Sequence, residues 1–257
     1  MNQSANIVCI KWGERYPVDY VNRLYNMVRR NTTVPFNFFC FTEISEGLHR
    51  DILVRPLPEL NVAPEDNRFA YRKEAALCQD DLGGLQGQRV LFFDLDVVIV
   101  DNIDGLISFP QGDDFVIIND WNSKGSQVGQ ASCYSWRVGT LGYVKEYFEK
   151  HPKEVVAKYH TASQEFLSDQ VIAEKGALIF WPETWFRSFK SHCLPKGVLR
   201  HFIPAAIPPG AKVIVFHGSP KPDEAIVGQW SFDEKIPFYK RWYKAVLPTP
   251  WVEQHWK

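Results

Sequence analysis

The sequence predicts an α/β fold: one domain built on a mostly parallel sheet with helices packed against its faces. Strand-like and helix-like segments alternate along the early part of the chain, which is typical of parallel sheets. Residues 90–100 form an almost uninterrupted apolar run, as expected for a strand that helices cover on both faces. With 257 residues, of which 45% are hydrophobic, the chain is long enough to bury one large core.

The opening of the chain has β-α-β order. Its first strand ends at a tryptophan and a glycine, its helix repeats apolar residues at helical spacing, and its second strand is rich in aromatic residues. A shorter strand, a second helix and a group of glycines then lead into the apolar run. In chain order, the predicted elements are strand 5–11, helix 18–30, strands 36–42 and 51–56, helix Arg68–Leu82 and strand 90–100.

The later part of the chain mixes strands and helices with longer loops, and no segment repeats another. We expect it to complete the same domain and to end in an irregular C-terminal portion. The predicted strands are 114–119, 132–138, 177–181 and 212–216, and the predicted helices are 141–150, 152–159 and 166–175.

Composition excludes several classes of protein. The formal net charge is −1, so no overall basic field favours nucleic acid as a partner. The five cysteines form no Cys-x-x-Cys pair and several lie in apolar runs, which is typical of reduced, buried thiols. No segment approaches the ~20 apolar residues that span a bilayer, and the first residues lack the pattern of a secretion signal. We therefore expect a cytoplasmic enzyme.

Two carboxylates, Asp94 and Asp96, interrupt the apolar run 90–100. Ionised carboxylates inside a sheet are costly unless a positive group accompanies them. Side chains two residues apart on a strand share one face, so both aspartates are expected to reach one hard divalent cation at the carboxyl end of the strand. Open α/β sheets bind ligands at that end, which predicts a metal and nucleotide site. The alternative is an edge strand that runs into a turn with solvated aspartates.

The segment Phe-Phe-Asp-Leu-Asp at 92–96 resembles the Asp-x-Asp motif of nucleotide-sugar-dependent glycosyltransferases with the GT-A fold. Three further segments resemble the glycogenin and bacterial lipopolysaccharide galactosyltransferase group in the same order: 7–13, Ser168-Asp169-Gln170 at the opening of a helix, and 213–222. The resemblance implies one GT-A domain over 1–257, with a nucleotide-binding half at 1–118 and an acceptor-binding half at 119–257. It also implies transfer of a sugar from a nucleoside-diphosphate sugar, with UDP as the expected nucleotide, to a hydroxyl of a glycan, a lipid-linked or a protein acceptor.

The resemblance further implies that His217 completes the metal site of Asp94 and Asp96, and that Lys221 contacts the donor phosphates. The chain departs from the group's spacing, because it has His-Gly-x-x-Lys-Pro where the group usually has His-x-x-Gly-x-x-Lys-Pro. The resemblance also implies that Asp94 meets the ribose of the donor. Carboxylates with an imidazole and phosphate oxygens suit Mn²⁺ or Mg²⁺, and the imidazole favours manganese.

Other donor contacts are also carried over from the resemblance. The nucleotide is expected beside Lys11, Trp12 and Gly13. The donor sugar or phosphate is expected beside Lys73, with Arg68 and Arg72 as near-equal alternatives. For each of these three basic residues, the competing interpretation is a solvated surface charge.

The catalytic pair is expected to be Asp169 and Gln170, beside the sugar. The alternative for these residues is a simple helix cap that begins at Ser168. The segment 181–192, with its aromatic and basic residues, suits an acceptor site or a buried loop.

Two other functions remain open. An apolar strand that ends in Asp-x-Asp is also the nucleophile motif of haloacid-dehalogenase-type phosphohydrolases, although that motif normally opens its domain. The other function that remains open is that of a non-catalytic nucleotide-sugar-binding protein. The tail 238–257 carries tyrosines, tryptophans and lysines, which predicts either a helix packed on the core or a peripheral contact with a membrane surface or a glycan.

Overall fold

The computed structural model describes residues 4–63, 73–121, 127–160, 162–233 and 235–257. The chain forms two compact units whose segments alternate along the sequence. The first unit draws on the ranges 1–16, 34–94 and 106–181, and the second on 17–33, 95–105 and 182–257. These boundaries differ from the division at residue 118, whose functional meaning stays a prediction.

The described residues contain ten strands and eight α-helices. The strands are β1 Ala5–Lys11, β2 Phe36–Thr42, β3 Ile52–Arg55, β4 Arg89–Phe93, β5 Val97–Ile99, β6 Val116–Asn119, β7 Gly129–Arg137, β8 Ile179–Phe180, β9 Phe186–Ser188 and β10 Val213–Val215. The helices are α1 Val18–Asn31, α2 Lys73–Ala76, α3 Asp104–Ser108, α4 Gly142–Lys150, α5 Pro152–Tyr159, α6 Ser163–Lys175, α7 Pro222–Val227 and α8 Pro250–His255.

The first unit contains a seven-stranded sheet in the order β3-β2-β1-β4-β7-β6-β8. All neighbouring pairs are parallel except those of β7, which runs antiparallel to both β4 and β6. The predicted mostly parallel α/β sheet is therefore confirmed. A core of aromatic and aliphatic side chains lies against it, and the stacked rings of Tyr134 and Trp136 at its centre are fully buried.

The second unit contains a three-stranded sheet in the order β5-β10-β9. β10 pairs antiparallel with β5 and parallel with β9. The apolar face of α1 is buried in this unit, and the C-terminal segment packs there through Trp256, whose ring meets Tyr20 edge to face at 4.8 Å.

The run 90–100 is not one strand. β4 ends at Phe93, a turn spans residues 94–96, and β5 begins at Val97 in the other sheet. The interpretation that Asp94 and Asp96 share one face of a strand was therefore wrong. Asp94 and Asp96 lie at the ends of the two ladders, and each still makes one backbone hydrogen bond to a neighbouring strand or to the residue that follows it.

Two predicted helices have different bounds. The helix predicted over Arg68–Leu82 is described only from Lys73 and ends at Ala76, six residues earlier than predicted. Arg68 and Arg72 lie outside the described residues. The helix α6 begins at Ser163 rather than beside Ser168, so both the helix opening and the cap predicted at Ser168 were wrong.

The five cysteines are all unpaired and buried, which confirms the prediction of reduced, buried thiols. None of the helices in the described ranges combines the length and the apolar character that a membrane span requires. The tail does not form the single helix that was one prediction: it contains a short 3₁₀ turn at Phe238–Lys240 and the one short α-helix α8.

Candidate active site

The carboxyl ends of parallel strands meet at one edge of the first unit's sheet. β1 ends there at Lys11, whose side chain is buried and donates from Nζ to the backbone oxygen of Gly13 at 2.9 Å. The backbone N–H of Gly13 donates to Oε1 of Glu43, just after β2, at 2.6 Å. Gly13 has φ of 59°, which favours glycine, and Trp12 packs against the core. The residues predicted to bind the nucleotide therefore lie at the carboxyl edge of the sheet, which is where open α/β sheets generally bind ligands.

Asp94 lies at the same edge because it directly follows β4, the parallel neighbour of β1. Its backbone N–H donates to the backbone oxygen of Ser132 at 2.8 Å, and its carboxylate forms an ion pair with Lys73. The ammonium of Lys73 also lies 3.6 Å from Oε1 of Glu74, which is buried, and 5.1 Å from the ring of Phe92. One lysine thus lies beside two carboxylates, and the contact of Lys73 with the donor stays a prediction.

A row of polar side chains on β7 and α6 lies next to this edge, and the sequence-based reasoning missed it. Gln130 and Ser132 are buried and bond to each other, with Nε2 of Gln130 donating to Oγ of Ser132 at 2.8 Å. From α6, Oε1 of Gln164 accepts the N–H of Ala131 at 3.4 Å, and Oγ of Ser168 accepts the N–H of Gly129 at 2.9 Å.

The signal for this row was present in the sequence. Polar residues two apart in an otherwise apolar strand, and four apart in a helix, each share a face.

Asp169 and Gln170 lie on a different side of α6. The phenol of Tyr159 donates to Oδ2 of Asp169 at 2.6 Å, and Nζ of Lys158 lies 3.3 Å from the same oxygen, so the carboxylate faces α5. Both residues line a cavity of about 310 Å³ with Glu154. Successive helical residues point about 100° apart, which explains why Ser168 faces β7 while its neighbours do not. The structure does not bring Asp169 and Gln170 to the row on β7.

In the second unit, Asp96 and His217 lie at one end of the same two-strand ladder. The backbone oxygen of Asp96 accepts the N–H of Phe216 at 3.0 Å, which continues the pairing of β5 with β10 by one residue. The Asp96 side chain is buried. His217 follows directly, and its Nε2 lies 2.8 Å from Oγ of Ser188 at the end of β9. Two of the three predicted metal ligands are therefore held by neighbouring strand ends.

The charge of Asp96 affects the pKa values of two side chains in the same unit, Lys190 and Tyr20. Burial lowers the pKa of Lys190, the charge of Lys244 lowers it further, and the charge of Asp96 opposes both effects. A Cβ added at Gly218, beside His217, would lie 3.4 Å from Nζ of Lys190. The sequence-based reasoning assigned Lys190 to an acceptor segment or a buried loop, whereas the structure has it half-buried beside the His217 turn.

The hydroxyl of Tyr20 donates to Oδ1 of Asp223 at 2.9 Å. Burial raises the pKa of Tyr20, and the charges of Asp223 and Asp96 raise it further. Lys221 precedes α7; its N–H donates to Oε2 of Glu224 at 2.7 Å, and its Nζ lies 4.0 Å from Oδ2 of Asp233. Acidic side chains of α7 and of Asp233 therefore lie beside the basic end of the turn from His217 to Lys221.

Within the described ranges, no three or more histidine, cysteine, aspartate or glutamate side chains converge in an arrangement that could hold a metal ion. What the second unit does supply is one buried carboxylate and one imidazole at adjacent strand ends, which is a donor set that Mn²⁺ accepts.

Similar solved structures are glycosyltransferases. Galactosyltransferase LgtC, in complex with donor and acceptor sugar analogs, is 16% identical, with a TM-score of 0.57 over 92% of this chain and 99% of that chain. An active-site mutant of LgtC, in which glutamate replaces a glutamine, is 17% identical, with a TM-score of 0.53 over 92% and 93%. The glycosyltransferase GlyE of Streptococcus pneumoniae TIGR4 is 11% identical, with a TM-score of 0.53 over 94% and 60%.

No protein-family model matches the sequence, and a comparison with curated proteins also finds no match. The structural likeness nevertheless covers almost the whole of this chain and of LgtC. The chain therefore has the fold of these glycosyltransferases, which confirms the predicted GT-A architecture and its similarity to the lipopolysaccharide galactosyltransferase group.

Proposed function

We propose that this protein is a metal-dependent glycosyltransferase that transfers a sugar from a UDP-sugar to an acceptor hydroxyl. The observation that carries the proposal is the ion pair of Lys73 with Asp94 at the ligand-binding edge of a sheet whose fold matches LgtC. LgtC was solved with donor and acceptor sugar analogs, which supports a sugar donor and a sugar acceptor as the substrates here. The five unpaired, buried thiols suit a reducing cytoplasm as the place of reaction.

In this proposal, basic side chains stabilise the diphosphate as it leaves the sugar. Negative charge grows on the leaving diphosphate as the glycosidic bond breaks, and cations fixed in advance stabilise that charge best. In the second unit, Lys190 and Lys221 are both half-buried, so their charges are less screened than those of exposed lysines. Lys73 belongs to the first unit, with 14% of its side chain exposed, and its contact with the donor stays a prediction.

The proposed metal ligands are Asp96 and His217, with Asp94 two residues before Asp96 in the chain. The fit rests on the buried carboxylate of Asp96, whose backbone is paired beside His217, and on Ser188, which orients the imidazole. When bound, Mn²⁺ or Mg²⁺ would supply Lewis-acid compensation for the charge on the leaving diphosphate. Water and phosphate oxygens would complete the coordination.

For the residue that faces the sugar, we assign Gln164 in place of the sequence-based pair Asp169 and Gln170. Gln164 lies in the first turn of α6 and reaches β7 one residue before Ser132, which pairs with Asp94. An active-site glutamine is also named for LgtC. A carboxamide in this position can orient a sugar hydroxyl or an incoming acceptor without adding charge.

The experiment is a calorimetric titration of the protein with UDP plus Mn²⁺, followed by a screen of UDP-sugars for metal-dependent turnover. We expect binding that chelation abolishes, and turnover at least about a hundredfold lower in Asp96→Asn, since a metal ligand is lost. The matched control is Asp51→Asn, because the Asp51 side chain is 54% exposed and has no role in the proposal.

Four outcomes would contradict parts of the proposal. Full turnover in Asp96→Asn would reject the metal role, and equal UDP affinity with and without metal would do the same. Tight, metal-dependent binding without turnover of any nucleotide sugar would instead support a non-catalytic binding protein. Unchanged sugar transfer in Gln164→Ala, with transfer lost in Asp169→Ala, would restore the sequence-based catalytic assignment.

A further inference from the structure

A cavity of about 280 Å³ lies at the amino edge of the first unit's sheet, where β1 and β4 begin and β7 ends. All of its lining residues belong to this unit. Lys11 and Asp94 follow the carboxyl ends of β1 and β4, and the five residues from Arg89 to Asp94 span roughly 17 Å of extended chain. The cavity is therefore separate from the carboxyl edge of the sheet. We call it the amino-edge cavity.

Two arginines at this cavity form a pair of like charges. Arg89 of β4 and Arg137 of β7 lie directly opposite each other in the antiparallel ladder, and both line the cavity. Opposite residues on antiparallel strands share one face of the sheet, so like charges at such a pair are destabilising. Burial lowers the pKa of Arg89, and the charge of Arg137 lowers it further. The sheet thus holds two guanidiniums close enough to repel each other.

Hydrogen bonds fix both guanidiniums at the cavity wall. Arg89 donates to the backbone oxygen of Gly112 at 2.7 Å and to Oγ of Ser135 at 3.2 Å. Arg137 donates to the same backbone oxygen of Gly112 at 3.2 Å. The two side chains therefore converge on one point. Their partners there are a carbonyl and a hydroxyl, which orient the guanidiniums but do not neutralise their charges.

The nearest carboxylates lie outside the cavity. Asp113 forms an ion pair with Arg137, but 68% of its side chain is exposed, so solvent screens that pair. The carboxylate of Asp114 accepts the backbone N–H of Gln111 at 3.2 Å. Among the described residues, no aspartate or glutamate lines the cavity. Positive charge therefore dominates its wall, which favours an anionic ligand.

We propose that the amino-edge cavity binds a small molecule through an oxyanion group, either a carboxylate or a phosphate, held between Arg89 and Arg137. The planar fork of a guanidinium matches both groups, and such charge-assisted hydrogen bonds are strong. Val90, Leu91 and Pro110 also line the cavity and would contact an apolar part of the ligand. The volume is at the lower end of the range for small-molecule sites, about 300–1,000 Å³, so the ligand is small. This site does not depend on the proposed function.

The test is calorimetric titration of the full-length protein with three probes: inorganic phosphate, benzoate and the neutral analogue benzamide. We expect saturable binding of phosphate or benzoate that weakens as salt is raised, and no binding of benzamide. Whichever anion binds more tightly identifies the oxyanion group that the cavity accepts. Equal affinity for benzoate and benzamide would overturn the proposal, because the arginines would then have no role.

Variants locate the bound anion. Arg89→Gln and Arg137→Gln should each weaken binding at least about tenfold, since each removes a charge-assisted hydrogen-bond donor. Ala5→Leu keeps both guanidiniums and narrows the cavity, which Ala5 lines, so it should weaken binding as well. The matched control is Arg50→Gln, which removes the same charge from a side chain that is 91% exposed and outside the cavity.

Circular dichroism of each variant separates lost binding from lost folding. If the arginine variants do not fold, Ala5→Leu alone decides, since it leaves their hydrogen bonds in place. No saturable binding of either anion, or unchanged affinity in the folded cavity variants, would overturn the proposal. Binding that is lost in Lys221→Met but kept in Arg137→Gln would overturn it too, because the anion would then occupy the proposed donor site. Sugar transfer is measured separately, so failure here leaves the proposed function standing.

Discussion

Replacing Lys73 by methionine tests the electrostatic arrangement at the edge of the sheet. Methionine keeps the length and most of the apolar volume of lysine but removes the ammonium. That ammonium pairs with Asp94 and lies 3.6 Å from Oε1 of Glu74. The exposed side-chain fractions are 14% for Lys73, 23% for Asp94 and 5% for Glu74, so the variant leaves two largely buried carboxylates without their cation.

The expected loss follows from that burial. Removing one partner of a buried ion pair costs about 3–5 kcal/mol, because the remaining charge stays desolvated. Asp94 retains some contact with water, so we expect the low end, about 3 kcal/mol, and a fall in Tm of roughly 6–10 °C. Adding Asp94→Asn removes one of the uncompensated charges and should recover about 1–2 kcal/mol.

Urea unfolding followed by tryptophan fluorescence measures these changes as a double-mutant cycle. The control is Lys150→Met, because Lys150 pairs with Glu146 at 3.2 Å while both side chains are about two thirds exposed, and its loss should cost about 0.5 kcal/mol or less. Equal stability losses in Lys73→Met and Lys150→Met, or additive effects of the Lys73 and Asp94 changes, would refute the inferred burial and pairing.

Further outcomes test other parts of the molecule. Burial alone would raise the pKa of Asp104, but hydrogen bonds from neighbouring threonines and an asparagine lower it below its ordinary value. The stability that Asp104 contributes is therefore present above about pH 4 and is lost as pH falls through the folded-state pKa. The Tm of the wild-type protein should exceed that of Asp104→Ala by less and less as the pH is lowered. A Tm difference that does not change with pH would contradict this explanation. Gly228 has φ of 74°, and an added Cβ would lie 2.5 Å from Cδ of Pro248. Gly228→Ala should therefore lower the free energy of unfolding in urea by about 2–4 kcal/mol. The control is Gly176→Ala, which should cost about 1 kcal/mol because φ is 82° but the space around the added Cβ is open. Tyr20→Phe should cost about 1–2 kcal/mol by removing the donor to Asp223, and no loss would show that the bond contributes little.

The fold finding also bears on the alternatives that the Asp-x-Asp pattern leaves open. A phosphohydrolase of the haloacid-dehalogenase type was one of them, and the structural likeness over 92% of the chain is instead to a galactosyltransferase. No observation here favours the phosphohydrolase. The non-catalytic reading is separated from the enzyme only by turnover, because both need the same binding groups.

The sequence by itself determined the class of fold and most of the element positions. Apolar periodicity and the glycines between segments report local geometry, and seven of the predicted strands and most helices correspond to observed elements. The family resemblance assigned Lys11, Gly13, Lys73 and Asp94 to the donor site, and the parallel strands that precede Lys11 and Asp94 end at the same edge of the sheet. It failed at 94–96, because a period of two cannot show that a chain leaves one sheet and enters another.

Only the tertiary structure decided which polar groups meet. Lys190 lies beside Gly218, and its pKa responds to the charge of Asp96. Gln164 of α6 bonds to the backbone of Ala131 on β7. In each case a long stretch of sequence separates the two partners. Asp169, predicted for the site, faces α5 because the helix turns it away from the strand that Ser168 contacts. Contacts of this kind depend on strand order and helix rotation, which arise from packing of the whole core and leave no signal in the spacing of neighbouring residues.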